Sequence, residues 1–289
     1  MKYLKPTTDI AFKKLFGSQE RKDLTISFLN NILERQPGEL ITEVNIRDNA
    51  NIPETNDKKI SFVDVNCVDQ TGKQYIIEMQ VVNEFDFIPR SQYYASFFLS
   101  RQLEARGEYC KLVPVIFVGV VCYDLFGDDD YLSHHFITNS KTRKVKLRHL
   151  EFHFIETSKF NKDIDEVKTD TDKWVYLIKN AEKLEEIPKG MRDSKEMVEA
   201  FHVLEKTQWS SNELESYKAE EDEAGKARRQ QEGAFVEGKA EGRTEGVEEG
   251  KLQAMTEIAL KLVAQGLDDK IISAATSLSV EQIKQLRKK

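Results

Sequence analysis

The sequence predicts an α/β protein, a mixed sheet flanked by helices, with a charged carboxyl-terminal tail that is either helical or flexible. Three observations lead there. Helical periodicity opens the chain, extended stretches follow at about 41–52, 60–69 and 73–82, and a continuous apolar, β-branched run fills 112–123 after an intervening helix. Strands joined by hairpins, then a helix that crosses back to the sheet, make a mixed plan.

Each element has its own signal. Residues 7–35 place Phe12, Leu15, Phe16, Leu24, Phe28, Leu29 and Ile32 at three- and four-residue steps. Thr7 or Thr8 caps this segment, and Gly17-Ser18 interrupts it. Residues 86–106 are aromatic and helical in period, with Gly107 as the expected stop. The run 112–123 reads as a strand buried on both faces. A basic stretch over 141–148 leads into a further strand at 150–154, and helices are expected at 170–186 and 194–206. His149 and His153 are four apart, but the alternation around Phe152 and Phe154 makes this a strand, so a helical zinc pair is not expected. His134 and His135 read as loop surface.

Charge and composition bound the function. Of the 289 residues, 39% are hydrophobic and 32% charged, which suggests a globular part joined to a solvated one. Residues 1–150 carry 20 basic and 20 acidic side chains, so the net charge of −7 falls wholly in the remainder. A uniformly acidic surface would be a poor partner for DNA; a neutral half with basic clusters is a better one. No run approaches the roughly 18 apolar residues of a membrane span. No apolar stretch follows the first lysines, so no secretory signal is expected. Cys67, Cys110 and Cys122 read as buried thiols in a reducing cytoplasm.

The chemistry concentrates in one hairpin. Gln70-Thr71-Gly72 fits a three-residue loop with glycine in the left-handed position, which sets Asp69 against Lys73. In that register Asp64 faces Glu78. Phe62, Asp64 and Asn66 then share a face with Ile76, Glu78 and Gln80, while Val63, Val65 and Cys67 join Ile77, Met79 and Val81 on the other. Opposed carboxylates repel across a sheet unless a proton or a cation lies between them. Mg²⁺ binds through one or two carboxylates plus substrate phosphate. The alternative is that both carboxylates are simply solvated.

The ordered set VDV (63–65), a Gly-containing turn and IEMQ (77–80) resembles the core of PD-(D/E)XK nucleases. More narrowly, with DIAFKKLFG at 9–17, RSQYY at 90–94, GEY at 107–109 and the strand at 112–123, it resembles the recombination-promoting nucleases and transposases of that class. The resemblance covers roughly 3–200. It implies a metal-dependent DNA endonuclease in which Asp64 and Glu78 hold the metal, Mg²⁺ or another divalent ion. Gln80 stands where the class usually has lysine, a departure because glutamine brings no positive charge and no acid. Asp9 and Lys13, on the first helix, either assist this site or are ordinary surface charges. Arg90 and Tyr93 are DNA-binding candidates, as are Lys144 and Lys146, whose stretch either tracks a phosphate backbone or protects an edge strand. The rival reading is a DNA-binding or oligomerising protein that kept the fold and lost turnover.

The organisation expected is a nuclease-like domain at 1–210, a charged segment at 211–251 and a small helical module at 252–289. Gly238, Gly242, Gly246 and Gly250 recur in step with Glu237, Glu241, Glu245 and Glu249. Four interior glycines cost a helix about 3–4 kcal/mol against alanine, so a lone helix is marginal. Either the segment is a linker, or its glycine stripe admits a second copy and makes a homo-oligomer. The last 30 or so residues resemble a degenerate helix-turn-helix, with a small capping helical hairpin the preferred alternative.

Overall fold

The structure, a computed structural model, describes residues 2–47, 63–103 and 107–287. It opens with α1 (Asp9–Phe16), whose first turn is capped by the Thr8 hydroxyl accepting from the Ala11 N–H at 3.4 Å. Asp9 at the start and Lys13 and Lys14 at the end both suit the helix dipole. The helix stops at Gly17, where a Cβ would stand 2.9 Å from the Lys13 carbonyl oxygen. A short 3-10 turn leads into α2 (Lys22–Ile32). The expected interruption at Gly17-Ser18 is therefore present.

Six strands follow: β1 (Val44–Arg47), β2 (Val65–Asp69), β3 (Gln74–Gln80), β4 (Val115–Val121), β5 (Leu132–Thr138) and β6 (Val145–Glu156). Their order across the sheet is β1-β2-β3-β4-β6-β5. The β1–β2, β2–β3 and β5–β6 pairs are antiparallel; β3–β4 and β4–β6 are parallel. The crossover from β3 to β4 carries α3 (Phe87–Ser100), and α4 (Asp170–Asn180) and α5 (Lys195–Leu204) follow the sheet. The expectations at 48–52 and 60–62, including the place of Phe62, lie outside the described residues.

The pleat divides the core in two. Val65, Cys67, Tyr75, Ile77, Val118 and Ile155 face the residues of α1, α2, α4 and α5, in a cluster where Phe16, Phe28 and Trp174 meet ring to ring at 4.5–5.7 Å. Ile76, Phe117 and Phe154 face the other way, onto Phe87, Tyr94 and Ala95 of α3. Buried apolar area on both faces is the main stabilising term, at about 25 cal/mol per Å² removed from water.

Four sequence expectations need correction. Val63 packs with Ile76 and Phe87 rather than with Val65 and Cys67, because the chain bends at Asp64 and alternation starts only after it. Helix α3 stops at Ser100, not near Gly107, because Gln102 turns to bond the Val113 backbone through both ends of its amide, at 2.8 and 3.0 Å. His134 and His135 lie on β5 rather than in a loop; His134 is the register partner of His153, with their Nδ1 atoms 2.6 Å apart. Cys110 is exposed, on the 3-10 turn Tyr109–Lys111, while Cys67 is buried.

The chain separates into two compact units, Met1–Gly225 and Lys226–Lys289. Helix α6 (Ser211–Ala264) is continuous for 54 residues, beginning in the first unit and ending in the second. Within the first, Tyr217 accepts from the Lys5 N–H at 3.0 Å and Glu213 meets Lys14 at 2.6 Å. In the second, α7 (Asp269–Thr276) and α8 (Val280–Arg287) close on the end of α6 around Ala259, Ile272, Leu278 and Ile283. Gly238, Gly242, Gly246 and Gly250 are helical and exposed, with open space where a Cβ would stand. Among the described residues no helix is long and apolar enough to cross a membrane.

Candidate functional site

The hairpin register places the two carboxylates together. The Asp69 N–H bonds the Lys73 carbonyl at 3.0 Å, the Gly72 N–H bonds Asp69 at 3.0 Å, and Gly72 has φ +85°, so the loop takes the expected form. The Asp69 carboxylate fixes the turn further by accepting from the Thr71 and Lys73 amides. Val65 then faces Ile77, and one step beyond lie Asp64 and Glu78. Each carboxylate is held by a backbone amide of the other strand: the Asp64 N–H donates to Glu78 Oε1 at 3.1 Å, and the Met79 N–H donates to Asp64 Oδ2 at 2.8 Å. Gly119 is the β4 neighbour of Glu78, and its missing side chain leaves room for the Phe154 ring, 2.8 Å from where a Cβ would be.

Helix α1 brings charge to the same place. Lys13 Nζ is 4.0 Å from Asp64 Oδ1 and 2.7 Å from Asp9. Burial drives the Asp64 carboxyl up to about 7; the Met79 amide works against that rise and Asp9 adds to it. Burial, then the Asp64 charge, hold Glu78 well above the usual carboxylate range. Burial pulls Lys13 down, but Asp9 and Asp64 outweigh it and keep the ammonium charged. A half-buried carboxylate and a buried one, with one partly exposed lysine near them, resist carrying two negative charges unaided. That donor set fits a hard divalent ion, which takes oxygen ligands and completes its shell with water or phosphate. Among the described residues no three His, Cys, Asp or Glu side chains form a ready-made cage, so two protein carboxylates are what the site offers.

Gln80 does not stand alone. Its Oε1 accepts from Arg90 Nη2 at 2.7 Å, and its Nε2 donates to the Val82 carbonyl at 3.1 Å. Arg90, on the first turns of α3, also pairs with Glu84, lies 3.7 Å from Asp86 and covers the Phe87 ring. The guanidinium therefore places a positive charge beside the position where glutamine supplies none.

Asp9, Lys13, Asp64, Glu78, Gln80 and Arg90 gather at the carboxyl end of β3. The other sequence candidates lie elsewhere. Tyr93 is exposed and stacked on Phe97 at 6.4 Å, while its neighbour Tyr94 is buried in the core. Lys144 and Lys146 sit near the start of β6, at the opposite end of the sheet. One site residue escaped the sequence reading. Glu220 of α6 accepts from the Ile10 N–H at 3.2 Å, and burial together with Asp9 raises its carboxyl. Its signal was the charge at 219–223, which is indistinguishable from any solvated helix until α6 docks on α1.

No curated protein and no solved structure matches the chain. Residues 6–230 match the family described as PD-(D/E)XK nuclease family transposase, and that match spans all six strands and every residue gathered at the site. The chain belongs to the PD-(D/E)XK nuclease family of transposases.

Proposed function

We propose that the protein is a metal-dependent DNA endonuclease that hydrolyses phosphodiester bonds in recombination or transposon-like events. The observation that carries this reading is the pair of cross-strand bonds at the hairpin end, from the Asp64 amide to Glu78 and from the Met79 amide to Asp64, with Lys13 of α1 beside Asp64. Asp64 and Glu78 would hold the ion, Mg²⁺ being the expected one. Bound there, the ion supplies Lewis-acid polarisation of phosphate and a more acidic water. Lys13 works against the rise that burial causes at Asp64 and presents charge to an incoming phosphate, and Asp9 keeps that ammonium in place. Arg90 provides the cation that the class's lysine would bring, and Gln80 fixes the direction of its guanidinium. Tyr93, exposed one turn further along α3, is placed to meet the nucleic acid.

One observation favours a second reading, a weak or inactive nuclease that binds DNA. Both ends of the Gln80 amide already have protein partners, which turns the side chain towards Arg90 and Val82 rather than leaving it free to follow a substrate. Incubating supercoiled plasmid with the wild type and Asp64→Ala, with Mg²⁺ and with chelator, separates the two. Cleavage only by wild type with metal supports the nuclease; none under any condition supports the second reading. We further place the protein in the cytoplasm and read the exposed glycine face of α6 as the contact with a second copy.

A further inference from the structure

The outer part of the β5–β6 hairpin stands clear of the rest of the sheet. Strand β4 pairs with β6 only from Leu150 onward, whereas β5 pairs with β6 back to Val145. Residues 135–144 and 146–149 are all exposed. This makes a two-stranded ribbon, and its composition is one-sided. Residues 131–150 hold Lys141, Arg143, Lys144, Lys146 and Arg148 and no acidic residue, in a chain whose net charge is −7. None of these five cations enters an ion pair among the described residues. Lys146 and Arg148 fall at the register irregularities of β6 and Lys144 just before its first residue, and all three side chains are exposed. Leu147 is 63% exposed, and its register partner Ile137 is 41% exposed. Irregular register at Phe136, Ile137 and Thr138 marks where the ribbon bends out of the sheet.

Glu78 is level with Gly119 and Phe154, and Lys146 lies eight residues before Phe154 on β6. At about 3.3 Å per residue that is at most roughly 26 Å, shortened by the irregular stretch, and so within about eight base pairs of duplex. We propose that this ribbon is a DNA-gripping arm, which takes the phosphate backbone of duplex DNA through Lys144, Lys146 and Arg148, within about eight base pairs of the bond that the carboxylates address. The arm's position relative to the cut rests on the nuclease reading; its affinity for duplex does not. A basic strand that merely protects an edge lies along the sheet it protects. Here the cations are exposed and, among the described residues, unpaired, on the part of the hairpin beyond the last β4 pairing.

The test uses the full chain with all three cations neutralised, Lys144→Gln, Lys146→Gln and Arg148→Gln. A control removes the same charge from exposed lysines elsewhere, Lys183→Gln, Lys189→Gln and Lys195→Gln. Binding to a fluorescent duplex of about 30 base pairs is followed by anisotropy across a salt series, in chelator, so that binding is read apart from cleavage. The ribbon variant should lose roughly tenfold or more in affinity, and its slope of log K against log salt should fall by about three. The control should stay close to wild type. Equal losses in both variants would reduce the effect to bulk charge, and no loss in the ribbon variant overturns the arm outright. Cleavage by wild type with Mg²⁺ is scored separately. Ribbon-dependent binding without cleavage refutes the nuclease and keeps the arm, whereas cleavage with ribbon-independent binding refutes the arm and keeps the nuclease. Unchanged thermal midpoints in both variants confirm that the fold is intact.

Discussion

Restoring the class's lysine at position 80 should harm this protein, although lysine is what the class usually carries there. Gln80 Oε1 accepts from Arg90 at 2.7 Å, so an ammonium built there falls within about 4 Å of the guanidinium. Two unit charges at that separation repel by about 4 kcal/mol at an effective dielectric constant of 20. Glu84 and Asp86 already neutralise part of Arg90, whose side chain is 19% exposed, and the lysine can swing aside. A net cost of about 1–3 kcal/mol is the reasonable expectation, including the lost charge-assisted hydrogen bond. For a unit the size of Met1–Gly225, that lowers the thermal midpoint by about 2–12 °C.

The decisive measurement is a double-mutant cycle. Gln80→Lys, Arg90→Gln and the double variant are unfolded thermally and assayed for plasmid cleavage. Arg90→Gln alone leaves the position beside Gln80 without its cation and should lose activity. The double variant exchanges the two residues' roles, so it should recover stability relative to Gln80→Lys and recover activity relative to both single variants. A coupling energy above about 1 kcal/mol is expected for residues in contact. Additive effects, or a Gln80→Lys protein as stable and active as wild type, would refute the idea that Arg90 stands in for the lysine.

Three further outcomes follow from the geometry. Mg²⁺ at about 100 times its Kd should stabilise the wild type by about 2.7 kcal/mol, and Asp64→Ala should show neither that rise nor cleavage; an equal rise in both would move the metal elsewhere. Burial, reinforced by His134 and opposed by Glu151, lowers the His153 pKa below 6.5, so the unfolded chain binds more protons there. That contribution to stability is complete above pH 6.5 and is lost as pH falls through and below that value. His153→Leu, measured among the unchanged His134, Glu151 and Arg35, should flatten urea-derived stability between about pH 7 and 5, and an unaltered slope would exclude His153 as the source. A chain ending at Gly225 keeps the Glu213, Tyr217 and Glu220 contacts and should sediment as a smaller assembly than the full chain; the same oligomeric state for both removes the tail from self-association.

What the sequence made legible was local. The Asp69–Lys73 turn, with glycine at its left-handed position, fixed the register, and the register alone set Asp64 against Glu78. Strand β4 was plain because all seven of its residues are buried. Strand β5 was not: an outermost strand with most residues exposed on both faces has no alternation to read, and so His134 passed for loop surface. Partners supplied from a distance were equally silent. Arg90 reaches Gln80 from another element, and Glu220 reaches Ile10 across 210 residues.

The distribution of paired and unpaired cations bears on how an acidic chain would handle DNA. At the site, Lys13 is shared by Asp9 and Asp64, and Arg90 by Glu84 and Asp86. Such pairs hold side chains in place, but each new phosphate must compete with a carboxylate, so their gain from releasing counterions is small. Among the described residues the ribbon's cations have no such competitors, and on the proposed reading counterion release there would give affinity its salt dependence. On the proposed reading, affinity and chemistry are therefore separated along the sheet. Raising salt should weaken binding steeply through the ribbon, while cleavage at saturating DNA, governed by the buried carboxylates and the shielded Arg90, should change little. A turnover rate at saturation that falls as steeply with salt as affinity does would mean that the site's own cations carry the DNA, and the separation would fail.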